Sequence, residues 1–187
     1  MDIRKYKLDS DFEKLSLEVD YNVTLDSLAI TDNKNGNISP RIQSDVVIHG
    51  GLIDDINKQI IDIIKKDIYK TNELIYTFKN WVYIVDKDSP EGIDYHNHLR
   101  MNNLNTIGEW TYVYYVSMPN NLKQDDGYIY FKDDNETISM LPEVGDLLIF
   151  PSDLKHLPKV NPTSTINRRV IGGIISSVSY KTKKTLL

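Results

Sequence analysis

The chain contains no cysteine. A disulfide framework is therefore excluded, and any metal site has to be built from His, Asp or Glu. Long apolar runs are missing too. Nothing approaches the ~20 consecutive apolar residues that a membrane helix needs. The opening stretch MDIRKYKLDSDFEKL has no apolar segment of the kind a signal peptide carries. There is no basic excess either. With 22 Lys and Arg against 27 Asp and Glu, the formal net charge is −5, which gives neither nucleic acid nor a membrane surface an electrostatic reason to bind. The expectation is a cytoplasmic protein without nucleic-acid or membrane partners.

What remains has the balance of a folded protein, with 40% hydrophobic and 26% charged residues. A length of 187 residues suits one domain with a sizeable core and is short for two. Leu15, Leu17, Val19 and Tyr21 alternate with polar neighbours, so residues 13–30 read as one or two short strands. TDNKNGNISPR (31–41) is a turn-rich loop and DVVIH (45–49) a short strand, so residues 1–50 form N-terminal strands and loop. Over 52–69, Ile53, Ile56, Ile60, Ile63 and Ile64 recur at helical spacing opposite Asp and Lys, which predicts one helix bracing a sheet.

From residue 74 onward the pattern is β. LIYTF (74–78) and WVYIV (81–85) read as a hairpin turning at Lys79-Asn80. WTYVYYVSM (110–118) is the strongest strand, dense in aromatic and β-branched residues. GYIYF (127–131), TISML (137–141), DLLIF (146–150), HLPKV (156–160) and RRVIGGIIS (168–176) follow, with turn signals between them. Many short strands so punctuated indicate a sandwich or barrel. Trp81 and Trp110 read as packing residues. Gly172-Gly173 leave a strand without side chains, room for close approach of a ligand or another strand.

Chemistry concentrates in the four histidines, His49, His96, His98 and His156. In an extended segment residues i and i+2 share a face, so His96 and His98 in DYHNHLR (94–100) present two imidazoles side by side. His156 is far along the chain, and an antiparallel barrel can return it to that pair. Neutral imidazole suits iron, zinc, copper or nickel. His49 reads as structural or surface-exposed. No Ser–His–Asp set is evident, so no catalytic residue is expected beyond the metal ligands.

The order of these motifs carries a resemblance. H-x-H at 96–98, an aromatic strand ending in YYV, G-x-I-x-F at 127–131, P-x-x-G-D-L-L-I-F-P at 142–151, His156 and then Arg at the head of a strand resemble the Fe(II)/2-oxoglutarate-dependent oxygenases. The prolyl-4-hydroxylase-like branch, in its small bacterial and phage forms, is the most similar. The resemblance covers roughly residues 74–176, the jelly-roll core with the metal site, and has helix 52–69 in the supporting position. It implies a mainly β fold, a double-stranded β-helix of the jelly-roll or cupin-like kind with one or few supporting α-helices, across a single domain.

The resemblance also implies site residues. Fe(II) is to be held by His96 and His156, with His98 where that family commonly has Asp or Glu; Asp94 and Glu109 are the alternative carboxylates. Arg168 is to pair with the distal carboxylate of the cosubstrate 2-oxoglutarate, helped by the Tyr115 hydroxyl. Arg168 and Arg169 face opposite sides of a strand, so only one can point inward. A guanidinium suits that role because it offers parallel donors to a carboxylate and stays charged at any working pH. The implied activity is a dioxygenase using 2-oxoglutarate and O2 to hydroxylate a small-molecule or peptide substrate, with peptidyl proline favoured. Specificity is expected in the loops 101–109 and 119–127. Three rivals stand beside it, one of them a hydrolytic zinc enzyme, since three histidines can make an activated zinc water. The run Gly145-Asp146, Pro151, His156, Asn161 also resembles the second cupin motif, where a three-histidine metal site without 2-oxoglutarate is natural. The remaining rival is a barrel module without catalysis.

Overall fold

Alternating side chains along buried strands need something apolar on both sides of a sheet, and this chain supplies helices on one side and a second sheet on the other. The computed structural model of the chain describes residues 1–30, 42–44, 51–69, 75–85, 94–98, 110–119, 127–159 and 168–177. Among these, nine strands and two helices occur in the order β1 (Arg4–Lys7), α1 (Phe12–Ile30), β2 (Ile42–Ser44), α2 (Leu52–Ile63), β3 (Ile75–Val85), β4 (Trp110–Ser117), β5 (Ile129–Lys132), β6 (Thr137–Met140), β7 (Asp146–Pro151), β8 (Lys155–Pro158) and β9 (Arg168–Ser177). Helix α2 runs on through a π-helical stretch, Ile64–Tyr69. All pairings are antiparallel, in a six-stranded sheet ordered β1-β7-β4-β9-β3-β2 and a three-stranded sheet ordered β6-β5-β8.

The larger sheet has two buried faces, and strict alternation assigns each residue to one of them. Val82, Ile84, Tyr112, Tyr114, Leu147, Ile149, Ile171 and Ile175 meet Leu15, Val19 and Val23 of α1 and Ile53, Ile56, Ile60 and Ile64 of α2 and its extension. Val113, Tyr115, Leu148, Phe150 and Val170 point the other way and pack on Ile129 and Phe131 of the small sheet. The two sheets thus face each other across a second core: the fold is a double-stranded β-helix, mainly β, with two supporting helices. Ile56, Ile60 and Ile64 are buried almost completely, each contributing roughly 1.5–3 kcal/mol by leaving water.

Residues 13–30 are the clearest correction to the sequence expectation: they are helix, not strand. Leu15, Val19 and Val23 are spaced by four and buried, whereas Leu17 and Tyr21, which completed the apparent alternation, are 64% and 61% exposed. Asp11 starts the helix, its carboxylate accepting from the Lys14 amide at 3.2 Å. Glu18 of α1 then caps α2, accepting from the Leu52 and Ile53 amides at 2.9 and 3.1 Å. Gly51, at φ +88°, is required there, because an added Cβ would lie 2.7 Å from the Glu18 carboxylate.

The hairpin expected at Lys79-Asn80 does not exist either. Strand β3 runs unbroken from Ile75 to Val85 with a bulge between Thr77 and Lys79. Asn80 is drawn into the sheet because its Oδ1 accepts from the Tyr112 hydroxyl at 2.6 Å. The Gly172-Gly173 gap admits neither a ligand nor a strand. Side chains fill it: a Cβ on Gly172 would lie 2.4 Å from the Trp81 ring, and one on Gly173 2.4 Å from the Tyr112 ring. The strand expected at 45–49, His49, Glu109, and the loop positions 101–109 and 120–126 lie outside the described residues. No described helix is long and apolar enough to cross a membrane.

Candidate metal centre

The structure brings His96, His98 and His156 together. One isolated antiparallel bridge does so: the His96 amide donates to the His156 carbonyl at 3.1 Å, and the His156 amide returns to the His96 carbonyl at 2.8 Å. The His98 amide donates to Ser152 O at 2.8 Å, a further main-chain tie between the two segments. Because His98 is two residues on from His96, it shares the face of that bridge. The ring centroids of His96 and His156 are 4.3 Å apart, with His98 5.2 and 5.0 Å from them. One ligating nitrogen from each ring lies within 4.8 Å of the others. An ion with bonds of ~2.1 Å spans donors ~3–4 Å apart, so small ring rotations close the set on one ion.

The rings also present the correct atoms. Nδ1 of His96 faces Asp94 O at 3.1 Å, and Nδ1 of His156 faces Leu154 O at 3.2 Å. A carbonyl only accepts, so each Nδ1 keeps its hydrogen and each Nε2 is left with its lone pair. Burial, then the neighbouring His96 and His98, push the His156 pKa down to about 3. It is therefore neutral at working pH, the form that ligates a metal. His156 is held from behind by Phe150 and Phe131, with ring centroids at 4.9 and 6.3 Å. His98 rests on Trp81, with centroids 4.9 Å apart. Asp94, the carboxylate considered from sequence, is exposed and contributes its backbone carbonyl; the cluster among the described residues holds three histidines and no carboxylate.

The second half of the site is at the head of β9. Arg168 is buried to 2% exposure. Its Nη2 faces the Tyr115 hydroxyl at 3.4 Å, and its guanidinium carbon is 5.2 Å from the Tyr115 ring centroid. Nε and Nη1 are buried without a hydrogen-bond partner among the described residues. A guanidinium withdrawn from water with two nitrogens unanswered is costly, and an anion is what relieves that cost. Burial raises the Tyr115 pKa while Arg168 pulls it down, with a net upward shift, so the phenol keeps the hydrogen it would donate to such an anion. Arg169 faces the other way and binds Asp20 of α1 through two contacts of 2.7 Å. Of the two arginines it is Arg168 that faces the inner core.

Both halves share one wall. Arg168, Val170 and Gly172 alternate along the inward face of β9; Trp81 is paired with Gly172 and Tyr83 with Val170. The row Tyr83–Val170–Tyr115 therefore separates the arginine from the Trp81 indole beneath His98.

No protein-family model matches the sequence, and no curated protein matches it. Solved structures do match. A prolyl-4-hydroxylase from Pseudomonas putida superposes with a TM-score of 0.63 at 14% identity, covering 95% of this chain and 93% of its own. A viral collagen prolyl hydroxylase from Paramecium bursaria Chlorella virus 1, solved as a 2-oxoglutarate complex, gives 0.62 at 12% identity over 95% and 96%. The chain has the prolyl-4-hydroxylase fold. A third structure with that fold, a prolyl hydroxylase from Trichoplax adhaerens in complex with a hypoxia-inducible factor peptide fragment, gives 0.60 at 19% identity over 92% and 82%. Within the fold, the contribution of Trp81 left no local mark in the sequence. The only signal is its register opposite Gly172, about ninety residues away, which becomes visible once the strands are paired.

Proposed function

We propose that the chain is an Fe(II)- and 2-oxoglutarate-dependent dioxygenase. The observation that carries this reading is the pairing, on one inner wall, of three converging histidines with a buried arginine two of whose nitrogens have no described partner. His96, His98 and His156 would hold the iron. Bound iron with 2-oxoglutarate and O2 supplies the oxidation chemistry, giving succinate, CO2 and a hydroxylated C–H position in the substrate. Arg168 would hold the distal carboxylate of 2-oxoglutarate by charge-assisted hydrogen bonds, with the Tyr115 hydroxyl as a second donor. Phe131, Phe150 and Val170, buried together in the core between the sheets, would keep water from the bound cosubstrate.

Three neutral ligands leave the charge of a divalent ion uncompensated. The keto-acid carboxylate of 2-oxoglutarate would supply part of that compensation, so metal and 2-oxoglutarate would each strengthen the binding of the other. For the substrate, a peptidyl proline is favoured by the names of the structural neighbours, one of which carries a bound peptide. A cytoplasmic setting belongs to the same reading.

The test is an anaerobic Fe(II) titration with and without 2-oxoglutarate, following the weak visible charge-transfer band of the chelate in the wild type and in Arg168→Ala. The expected band needs both ligands and fades in the variant. The absence of a carboxylate from the described cluster favours one alternative, a cupin-type three-histidine metal protein. Iron binding without any response to 2-oxoglutarate would establish it in place of the oxygenase.

A further inference from the structure

The turn Pro151–Leu154 carries the chain from β7 of the large sheet to β8 of the small one, and the Leu154 amide closes it by donating to Pro151 O at 3.0 Å. Two other carbonyls of the turn reach histidines. Ser152 O accepts from the His98 amide at 2.8 Å. Leu154 O faces Nδ1 of His156 at 3.2 Å. A shift of the turn therefore moves the main chain of one histidine and the ring of another. Its far end is fixed by Leu154, whose side chain packs in the core between the sheets. Its near end is fastened differently. The Ser152 hydroxyl is 2.9 Å from the Thr111 hydroxyl, and the two residues are 1% and 0% exposed. Thr111 belongs to β4, which is paired along both edges, by β7 and by β9.

A bond between two buried neutral hydroxyls is a poor source of stability. Both groups give up water to make it, and an apolar pair of the same shape does about as well. What the hydroxyls supply and an apolar pair does not is direction. They hold one distance and one angle between a residue embedded in the large sheet and the residue whose carbonyl receives the His98 amide. We propose that Thr111 and Ser152 are a positioning pair for the metal centre, fixing the β7–β8 turn so that His98 and His156 reach His96 in a single geometry. The inference rests on the reading of the three histidines as a metal site. The pair acts on the main chain of His98, not on its ring.

The experiment uses the full chain and Co(II), whose visible absorption reports both affinity and coordination. The wild type is expected to saturate at a single equivalent. Thr111→Val combined with Ser152→Ala removes both hydroxyls and keeps the shape of the core. This double variant is expected to melt with the wild type. It is expected to bind Co(II) ~10-fold more weakly or worse, the scale typical of residues that orient a metal ligand, with altered visible band intensities. Thr111→Ser keeps a hydroxyl and is expected to bind like the wild type. If His98→Ala weakens Co(II) binding while the double variant matches the wild type in affinity and spectrum, the positioning role is overturned and the metal site stands. A second measurement needs no variant to fold. In the wild type, amide exchange at His98 is expected to slow by roughly 10-fold or more when Zn(II), which is diamagnetic, is added, because metal and turn hold the same segment. A rate at His98 that Zn(II) leaves unchanged overturns the role as well. No Co(II) absorption in the wild type overturns the metal reading and this inference with it.

Discussion

Nη2 of Arg168 sits 3.4 Å from the hydroxyl of Tyr115, both side chains closed off from water. The two reach that spot from neighbouring strands, and a main-chain bond from the Gly145 amide to the Tyr115 carbonyl, 2.8 Å, holds the tyrosine side of the pair. Among the described residues, nothing answers two of the guanidinium nitrogens, Nε and Nη1.

That arrangement separates binding from stability. Arg168→Met removes, at similar volume, a buried charge with no acidic partner among the described residues, so the ligand-free protein should melt no lower than wild type and is expected to melt higher. The variant should lose its response to 2-oxoglutarate. A ligand at 100 times its Kd adds about 2.7 kcal/mol, which for a chain of this size raises Tm by about 5–10 °C. Thermal melts with metal present, with and without 2-oxoglutarate, should show this shift in wild type and none in Arg168→Met. An equal shift in both proteins would remove Arg168 from the site.

Arg169 should behave in the opposite sense. Its double contact with Asp20 ties α1 to the edge of β9, with the carboxylate partly in solvent. Asp20→Ala is expected to destabilise by about 1 kcal/mol, the scale of a partly exposed bidentate pair, and to leave 2-oxoglutarate binding unchanged. Urea unfolding together with a cosubstrate titration checks both statements.

Acid sensitivity should trace to the start of β7. Burial works to raise the pKa of Asp146, but the Lys5 ammonium at 2.7 Å, the Glu143 amide at 2.7 Å and Lys7 at 3.2 Å outweigh it and hold the carboxyl below its usual 3.8. The folded state thus releases this proton more readily than the unfolded chain. The resulting stabilisation is complete above the unfolded value and disappears as pH falls through the lower folded value. Asp146→Asn should lose stability at pH 7 and differ least from wild type near pH 2. Denaturation midpoints across that range test it, and a gap that widens toward acid would contradict it.

Gly173 offers a steric test remote from the histidines. A methyl there would meet the Tyr112 ring at 2.4 Å, and the Tyr112 hydroxyl is already bonded to Asn57 and Asn80 at 2.8 and 2.6 Å. The ring has nowhere to retreat. Gly173→Ala should cost about 1–3 kcal/mol, as overpacked cores do, with Co(II) affinity unaltered. Loss of metal binding at unchanged stability would refute the assignment of Tyr112 to the scaffold.

The sequence made most of the β-rich half legible, because β3, β4, β5, β7 and β9 are paired on both sides and their neighbours reinforce each local preference. Trp110–Ser117 and Asp146–Pro151 emerge within a residue or two of the expected bounds. The histidines and Arg168 were legible from spacing and motif order taken together. Helix α1 was not, because a spacing of four is also a multiple of two. Leu15, Val19 and Val23 satisfy both periods, and the exposed Leu17 and Tyr21 favoured the wrong one. Strand β1, Arg-Lys-Tyr-Lys, carries almost no apolar signal. It is an edge strand whose lysines serve Asp146, and charged edges are how sheets avoid pairing with other chains. Asn80 looked like a turn because its partner, the Tyr112 hydroxyl, belongs to a strand about thirty residues further on.

The two buried faces of β9 have a consequence for mutational scanning. Arg168, Val170 and Gly172 look toward the core between the two sheets, while Arg169, Ile171 and Gly173 look toward the helices. A saturation library over this single strand, scored once for cosubstrate capture and once for expression level, should give two profiles of the same period and opposite phase. Deleting one residue at its head would exchange the phases at a stroke, turning Arg168 outward and offering the inner core the partner of Asp20 instead.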